Sequence, residues 1–307
     1  MKSNFSHIGL AGLCEWFGIT RQAYYQNNWE GVSTTIEEDL VIQKVKNIRK
    51  NHRRIGTRKL FEMMQPFLLE HSIKMGRDAL FTLLSANHLL VRKRKRRIQT
   101  TNSYHWLRKY PNLIKEFDPT APNQLWVSDI TYWKINTGEH LYISFITDAY
   151  SHRIMGYHVA KTLETIESIQ ALQMALSALG AETHLQLTHH SDRGIQYCSG
   201  AYVKLLQDNN IQISMTENGD PLENAVAERV NGIIKEEYLE TYDIDTIKQA
   251  KELLKAVVEL YNSERPHMSI SNLTPNHIHH SKTKIKTEKL WKNYYQKQTT
   301  FVNPLQD

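Results

Sequence analysis

Three acidic residues, Asp129, Asp192 and Glu228, stand where the surrounding sequence can bring carboxylates together for chemistry. Asp129 interrupts the β-branched and aromatic stretch WVSDITY, and Leu125 and Val127 share its face of the predicted strand. A charge in that setting is costly unless it has a partner, and a cation is the usual one. Asp192 follows the apolar run LQLTHHS, and Glu228 lies in the helical pattern ENAVAERVNGIIKEEYL.

Neighbouring carboxylates repel each other unless a divalent cation lies between them. Because all the ligands are oxygen, the set suits Mg²⁺ or Mn²⁺ rather than zinc. Taken alone, Glu228 also reads as a solvated helix residue and Asp192 as a turn or cap residue. Lys235 follows Glu228 by seven residues, two helical turns along the same face, where its ammonium group can hold a phosphate.

The spacing of apolar residues changes near residue 123, from a helical pattern to one typical of strands, and this change predicts the elements that must position these acids. Strands are predicted at 124–135, 140–148, 153–160, 185–190 and 211–215. Helices are predicted at 165–179, 202–208, 222–239 and 245–261. Three antiparallel strands followed by two crossover strands indicate an α/β fold with a mixed five-stranded sheet and flanking helices. If the first and fourth strands are neighbours, Asp129 and Asp192 meet at one sheet edge.

The front of the chain is helical and basic. Residues 8–27 have the outline of a helix-turn-helix, with a turn at Gly18 and a helix begun by Thr20, although any small helical hairpin gives the same outline. Further helices are predicted within 36–90, including 57–69 and 77–87. Six adjacent basic residues follow, and they repel unless a polyanion such as a phosphate backbone offsets them: Arg92, Lys93, Arg94, Lys95, Arg96 and Arg97.

Charge and composition limit the class of protein. Residues 1–120 carry 21 Lys and Arg against 10 Asp and Glu, and the rest carries 17 against 22, so the basic front is the part suited to nucleic acid. A hydrophobic content of 40% excludes a disordered chain, and no apolar run is long enough to span a bilayer. The two cysteines, far apart, suit a reducing cytoplasm rather than a disulfide scaffold.

The spacing of the acids carries a family resemblance. Thirty-five residues separate Asp192 from Glu228, and Lys235 trails, which resembles the DD(35)E catalytic core of retroviral integrases and many bacterial transposases. Four sequence motifs are similar to those of the insertion sequence 3 family of transposases: WVSDITY, HHSDRGIQY, SMTENGDPLENAVAERVNGIIKEEYL and YNSERPHMSISNLTP. HRRIGTRKL, before the basic run, is similar to that family's helical domain.

The resemblance implies a ribonuclease H-like fold and a DNA transposase that cleaves the 3′ ends of an insertion sequence and transfers the strands. It implies two Mg²⁺ or Mn²⁺ ions held by Asp129, Asp192 and Glu228. Members of that family are commonly made as a fusion with a short first reading frame, and this chain resembles the second-reading-frame product alone. Its implied partners are double-stranded DNA (the element's terminal repeats and the target), further copies of the chain making at least a dimer on DNA, and the first-reading-frame product of the same element. We expect a bacterial cytoplasmic protein that is nucleoid-associated when bound to DNA.

Further residues are candidates for contact with DNA. Asn224, one turn before Glu228, is expected to orient that residue or to touch DNA, or else to serve as a polar helix start. His190 flanks Asp192 and is expected either to pack at a strand end, which is the favoured interpretation, or to contact a metal-bound water or a phosphate. Arg265 and His267 are expected to line a DNA channel or to fix the last helix against the core.

We therefore predict four segments: a helical DNA-binding region at 1–98, a polar linker at 99–122, a catalytic core at 123–280 and a C-terminal tail at 281–307. Two other functions fit the same fold. One is a catalytically silent DNA-binding regulator of transposition, and the other is a ribonuclease H-type nuclease. The basic front and the 35-residue spacing favour the transposase over the nuclease, and the presence of all three acids favours it over the regulator.

Overall fold

A computed structural model describes residues 9–22, 35–91, 106–115, 117–179, 186–217 and 224–281. The chain divides into two compact units, one formed by Met1–Asn51 and Ile55–Arg92, the other by His52–Arg54 and Lys93–Asp307. None of the described helices is long and apolar enough to cross a membrane. The predicted basic run, Arg92 to Arg97, and most of the predicted tail lie outside the described residues.

The first unit is helical. It contains α1 (Leu10–Trp16), α2 (Thr35–Asn51), α3 (Thr57–Glu70) and α4 (Arg77–Ala86), so the two helices predicted at 57–69 and 77–87 are confirmed to within one residue. Apolar positions at helical spacing on α2, α3 and α4 pack into one core: Val41, Val45, Leu60, Met64, Leu68, Leu80 and Leu84. Gly18 has a φ of 64°, a left-handed turn that glycine favours. Beyond Gln22, the second helix of the predicted helix-turn-helix lies outside the described residues.

The second unit contains a mixed five-stranded sheet. Its strands are β1 (Leu125–Lys134), β2 (His140–Asp148), β3 (Ile154–Ala160), β4 (Thr188–Ser191) and β5 (Gln212–Met215), in the spatial order β3-β2-β1-β4-β5. Strands β1, β2 and β3 pair antiparallel, whereas β4 pairs parallel with both β1 and β5. The α/β prediction of three antiparallel strands joined to two crossover strands is confirmed, as is the adjacency of the first and fourth strands.

Helices cover both faces of this sheet. They are α5 (Thr165–Leu179), α6 (Ile195–Cys198), α7 (Gly200–Asp208), α8 (Ala225–Ile233) and α9 (Ile247–Ser263), and a short helix, α10 (Pro275–His279), packs on α9. Strand side chains alternate between the faces. Trp126 and Ile146 pack with residues of α5 and α7, and Ile143 and Phe145 pack with residues of α8 and α9. Two apolar layers therefore hold the sheet from either side.

The prediction of one long helix over 222–239 is wrong. α8 ends at Ile233, a π-helical turn covers Ile234–Tyr238, and a 3₁₀ turn covers Leu239–Thr241. Ile234 and Leu239 are both fully buried. In an α-helix, residues five apart point about 140° away from each other, so both could not face one core. The wider π turn brings them to one side.

Part of the predicted linker packs against the sheet. The backbone N–H of Met215 in β5 donates to Pro111 O at 3.2 Å, and the Leu113 N–H donates to Ser214 Oγ at 2.9 Å. Leu107 and Tyr110 join the apolar layer of α5 and α7. Residues 106–115 thus cover the outer edge of β5, which would otherwise leave unpaired backbone groups exposed.

Candidate active site

The register of β1 and β4 places two acids side by side. Parallel pairing of these strands ends at Ser128 opposite Ser191. Asp129 is the next residue of β1, and Asp192 is the first residue after β4. Because parallel strands run in the same direction, both aspartates lie at the same end of the β1–β4 pair, as the sequence predicted.

Hydrogen bonds fix the carboxylate of Asp129. Its Oδ1 accepts from the backbone N–H of Ile130 at 2.8 Å, and its Oδ2 accepts from Asn231 Nδ2 at 2.8 Å. Since both oxygens are engaged, the side chain is held in one orientation. Asn231 lies on α8, so this contact also ties the helix to β1.

A tight turn holds Asp192. Its Oδ1 accepts from the backbone N–H of Gly194 at 2.9 Å, just before α6 begins at Ile195. A Cβ added at Gly194 would lie 2.9 Å from that same oxygen. The glycine in the SDRG stretch is therefore needed for the close approach of backbone to carboxylate.

Glu228 lies in the first turn of α8 and is solvent-exposed. Ala227, its neighbour, is buried against Leu125 and Val127 of β1, on the strand face that also carries Asp129. Asn224, at the N-cap of α8, donates its amide to the carbonyl of Ser128 at 3.0 Å. The helix that carries Glu228 is thus fastened to the strand that carries Asp129.

The three acids interact electrostatically. Burial, and then the negative charges of Asp192 and Glu228, raise the pKa of Asp129 from its ordinary value to about 7. The hydrogen bonds from Ile130 and Asn231 oppose that rise because they favour the ionised carboxylate. A raised pKa with these causes is what a cluster of carboxylates produces, and such clusters occur at functional sites.

The chemistry of this donor set fits a hard divalent cation. All three side chains offer carboxylate oxygens, which Mg²⁺ and Mn²⁺ prefer. The three carboxylates do not already form a metal site, because in the described part of the chain no three His, Cys, Asp or Glu side chains are grouped closely enough to hold a metal ion. Bringing three like charges into contact costs free energy that the charge of a cation offsets.

Lys235 lies beyond the end of α8, in the π-helical turn. Its Nζ lies 3.9 Å from the centroid of the Tyr132 ring on β1, a cation–π contact. The prediction of a straight α-helical stripe from Glu228 to Lys235 is corrected, because the helix changes pitch between them. Lys235 is nevertheless drawn to the strand that bears Asp129.

Four further candidates for DNA contact are buried, and their contact with DNA stays a prediction. His190 is fully buried, with Nδ1 2.8 Å from Ser214 Oγ. Arg265 is fully buried in a two-pronged ion pair with Glu237, both bonds measuring 2.8 Å, and its Nη1 lies 2.9 Å from His267 Nε2. His267 and Asn224 are also buried. These side chains support the structural alternative that the sequence left open.

Asn231 is the residue that the sequence interpretation missed. It follows Glu228 by three residues, so the same-face argument that singled out Asn224 could have found it. Its partner, Asp129, could not be read from the sequence because helix spacing does not say which strand faces the helix. A second missed contact joins Ser128 Oγ to His189 Nε2 at 2.7 Å.

Comparison with known proteins places this arrangement in a family. The profile described as "Integrase core domain" matches residues 119–221, and a second profile with the same description matches 209–275. The "Insertion element IS600 uncharacterized 31 kDa protein" of Shigella sonnei is 34% identical over 270 residues, which is 86% of this chain and 96% of that protein.

Two further comparisons concern a transposase and a solved structure. The "Transposase for insertion sequence element IS629" of Shigella sonnei is 30% identical over 266 residues, covering 84% of this chain and 86% of the relative. The catalytic core domain of HTLV-2 integrase, solved in complex with magnesium, is 22% identical with a TM-score of 0.43. That match covers 52% of this chain and 98% of the integrase core.

Proposed function

Since this chain belongs to the insertion-sequence transposases that carry an integrase core domain, we propose that it cleaves the ends of an insertion sequence and joins them to other DNA. The reaction is phosphoryl transfer at Asp129, Asp192 and Glu228. The observation that carries this proposal is the register of β1 and β4, with Asp129 and Asp192 next to the last paired residues. The ribonuclease H-like sheet supplies that register.

Divalent ions complete the proposed site. Asp129, Asp192 and Glu228 would hold two Mg²⁺ or Mn²⁺ ions through their carboxylate oxygens. When bound, such ions lower the pKa of the attacking hydroxyl group and stabilise the oxygen that leaves. Asp129 is held for this role by the bonds from Ile130 and Asn231, and Asp192 by the bond from Gly194.

The chemical steps need no covalent link to the protein. In the first step, a water oxygen bonds to phosphorus while the bond from phosphorus to the 3′-oxygen breaks, which leaves a 3′-hydroxyl and a 5′-phosphate. In the second, the oxygen of that 3′-hydroxyl bonds to the phosphorus of another phosphodiester while the bond from that phosphorus to its own 3′-oxygen breaks, which joins the strand to a 5′-phosphate and frees a new 3′-hydroxyl. No serine or tyrosine nucleophile is required, in keeping with the full burial of Ser191.

DNA is the proposed partner, and charges on the chain position it. Lys235 offers an ammonium group beside β1 to a phosphate of the reacting strand. The basic run at 92–97 contributes to holding duplex DNA, and the first-reading-frame product of the element is a further candidate partner. Because two ends must be joined, at least two chains assemble on DNA. A mass measurement of the paired-end complex that finds one chain would contradict this.

The test is a cleavage-and-joining assay on labelled DNA that carries the ends flanking the gene, with Mg²⁺ or Mn²⁺ against EDTA. We expect metal-dependent nicking at the 3′ end of the element, followed by a joined product. Preferential cutting of RNA–DNA hybrid would instead support a ribonuclease H-type nuclease. Tight binding of the ends with no cutting, by this chain and by its fusion to the first frame, would support a regulator.

A further inference from the structure

A single stripe of α8 carries two buried asparagines on either side of Glu228. Asn224 precedes Glu228 by four residues and Asn231 follows it by three, so the three side chains share one face of the helix. Both asparagines are about 5% exposed, whereas Glu228 is exposed. The exposed acid thus lies between two fixed amides.

Each asparagine donates to β1, at consecutive residues. Asn224 Nδ2 bonds the carbonyl of Ser128 at 3.0 Å, and Asn231 Nδ2 bonds Asp129 Oδ2 at 2.8 Å. Two attachment points prevent the helix from sliding along the strand or rotating about its own axis. They therefore set the position of Glu228 relative to Asp129.

The chemistry of the amide suits this position. A carboxylate accepts a hydrogen bond from an amide N–H without any change in the charge of the site, whereas a lysine would neutralise Asp129 and compete with a cation. An aspartate at 231 would add a fourth negative charge. An amide side chain donates to Asp129 and stays neutral at every pH.

We propose that Asn231 is a positioning residue of the active site: it fixes the Asp129 carboxylate and anchors the helix that carries Glu228 to β1, which limits how far the acids must move to bind divalent ions. This inference rests on the proposed function, in which these acids bind the ions. Asn224 provides the second attachment of the same helix. Residues that orient metal ligands in this way typically change metal affinity by about 10–100-fold when they are lost.

The test compares Asn231→Ala with Asn262→Ala. Asn262 is a matched control because it is equally buried and donates its amide to a backbone carbonyl, that of Ile154 on β3, from α9. Mn²⁺ affinity is measured by calorimetry on the full chain without DNA. Joining activity is measured against Mn²⁺ concentration. We expect Asn231→Ala to weaken Mn²⁺ binding and raise the half-saturating Mn²⁺ for joining by about tenfold or more.

In Asn262→Ala both quantities should stay within about twofold of wild type. Equal effects of the two substitutions would overturn the inference and leave only a packing role for Asn231. If Asn231→Ala does not fold, which its melting curve in EDTA shows, Asn231→Ser replaces it, since a hydroxyl is too short to span the contact. If the wild-type protein binds Mn²⁺ but joins no DNA, the proposed function is contradicted. The calorimetric comparison still tests the positioning role of Asn231 in that case.

Discussion

At the scale of single residues, the site consists of acids whose orientation is set by neutral hydrogen-bond donors. Asp129 accepts from a backbone amide and from Asn231, and Asp192 accepts from Gly194. These donors fix direction without cancelling charge. The carboxylates therefore keep the mutual repulsion that a divalent cation can relieve.

Burial of Asp129, together with that repulsion, makes the stability of the metal-free protein depend on pH. The folded pKa of Asp129, about 7, is above its unfolded value, so the folded state binds this proton more tightly. The stabilisation is fully present below the unfolded pKa and is lost as pH rises to about 7.

Asp129→Asn should remove this dependence. In EDTA at pH 8, we expect the variant to melt higher than wild type, by roughly 2–4 °C for each kcal/mol that burial and repulsion of the Asp129 charge cost the folded state, with the difference shrinking toward pH 4. Differential scanning calorimetry across this pH range measures it. Asp208→Asn, at an exposed aspartate of α7, is the control and should track wild type. If the melting temperature of the variant ran parallel to that of wild type at every pH, the raised pKa of Asp129 would be disproved.

The sequence identified the three acids but not the residues that hold them in place. Asp129, Asp192 and Glu228 could be singled out from their motifs and spacing, because a charge in an apolar strand and the 35-residue interval are visible in one dimension. Arg265 could not be resolved between DNA contact and packing. Its charge is paired with Glu237, which lies in a π-helical turn that local periodicity does not show.

At the scale of elements, the site depends on close contact between helices and the sheet. Gly156 on β3 illustrates how close: a Cβ added there would lie 2.1 Å from the carbonyl oxygen of Ala171 on α5. The backbone of α5 therefore rests directly on β3. No side chain larger than hydrogen fits between them unless the helix moves.

We expect Gly156→Ala to destabilise the protein by about 1–3 kcal/mol or more, because overpacking displaces α5 from the sheet. Gly200→Ala is the matched control, since a Cβ at the start of α7 meets nothing within 4 Å. Urea unfolding followed by circular dichroism gives both values. Equal midpoints for the two variants would show that the helix yields without cost.

Elements with a strong sequence period were predicted to the residue, as for β2 (His140–Asp148) and α5 (Thr165–Leu179). Their alternation and helical spacing are local properties. The pitch change after Ile233 could not be predicted, since it arises from the need to bury Ile234 and Leu239 against one core. That need depends on the tertiary contacts of the folded chain rather than on local periodicity.

At the scale of the whole molecule, charge is divided along the chain between a basic front and an acidic rear. Phosphate contacts by the front release counterions, so the logarithm of the DNA association constant falls with the logarithm of salt concentration, by about 0.9 for each phosphate neutralised. The basic run at 92–97 is the densest source of such contacts in the sequence.

Replacing all six residues of that run by glutamine should lower the slope of the salt dependence by up to about five, and weaken binding alike for end DNA and unrelated duplex. Fluorescence anisotropy between low and physiological salt gives the slope. The comparison variant carries glutamine at three exposed lysines of α9, and its salt-dependence slope should change less: Lys248, Lys251 and Lys255. An unchanged slope in the six-residue variant would exclude the run from the DNA contact.

The most direct measurement of whether the three acids form one catalytic site is strand joining by single variants at each of them. Asp129→Asn, Asp192→Asn and Glu228→Gln would be assayed on element-end DNA in Mn²⁺, beside Asp208→Asn and Glu236→Gln at exposed positions. We predict that each of the first three binds the DNA as wild type does and joins none, while both controls join normally. Joining at the wild-type rate by any of the first three would contradict the proposed site.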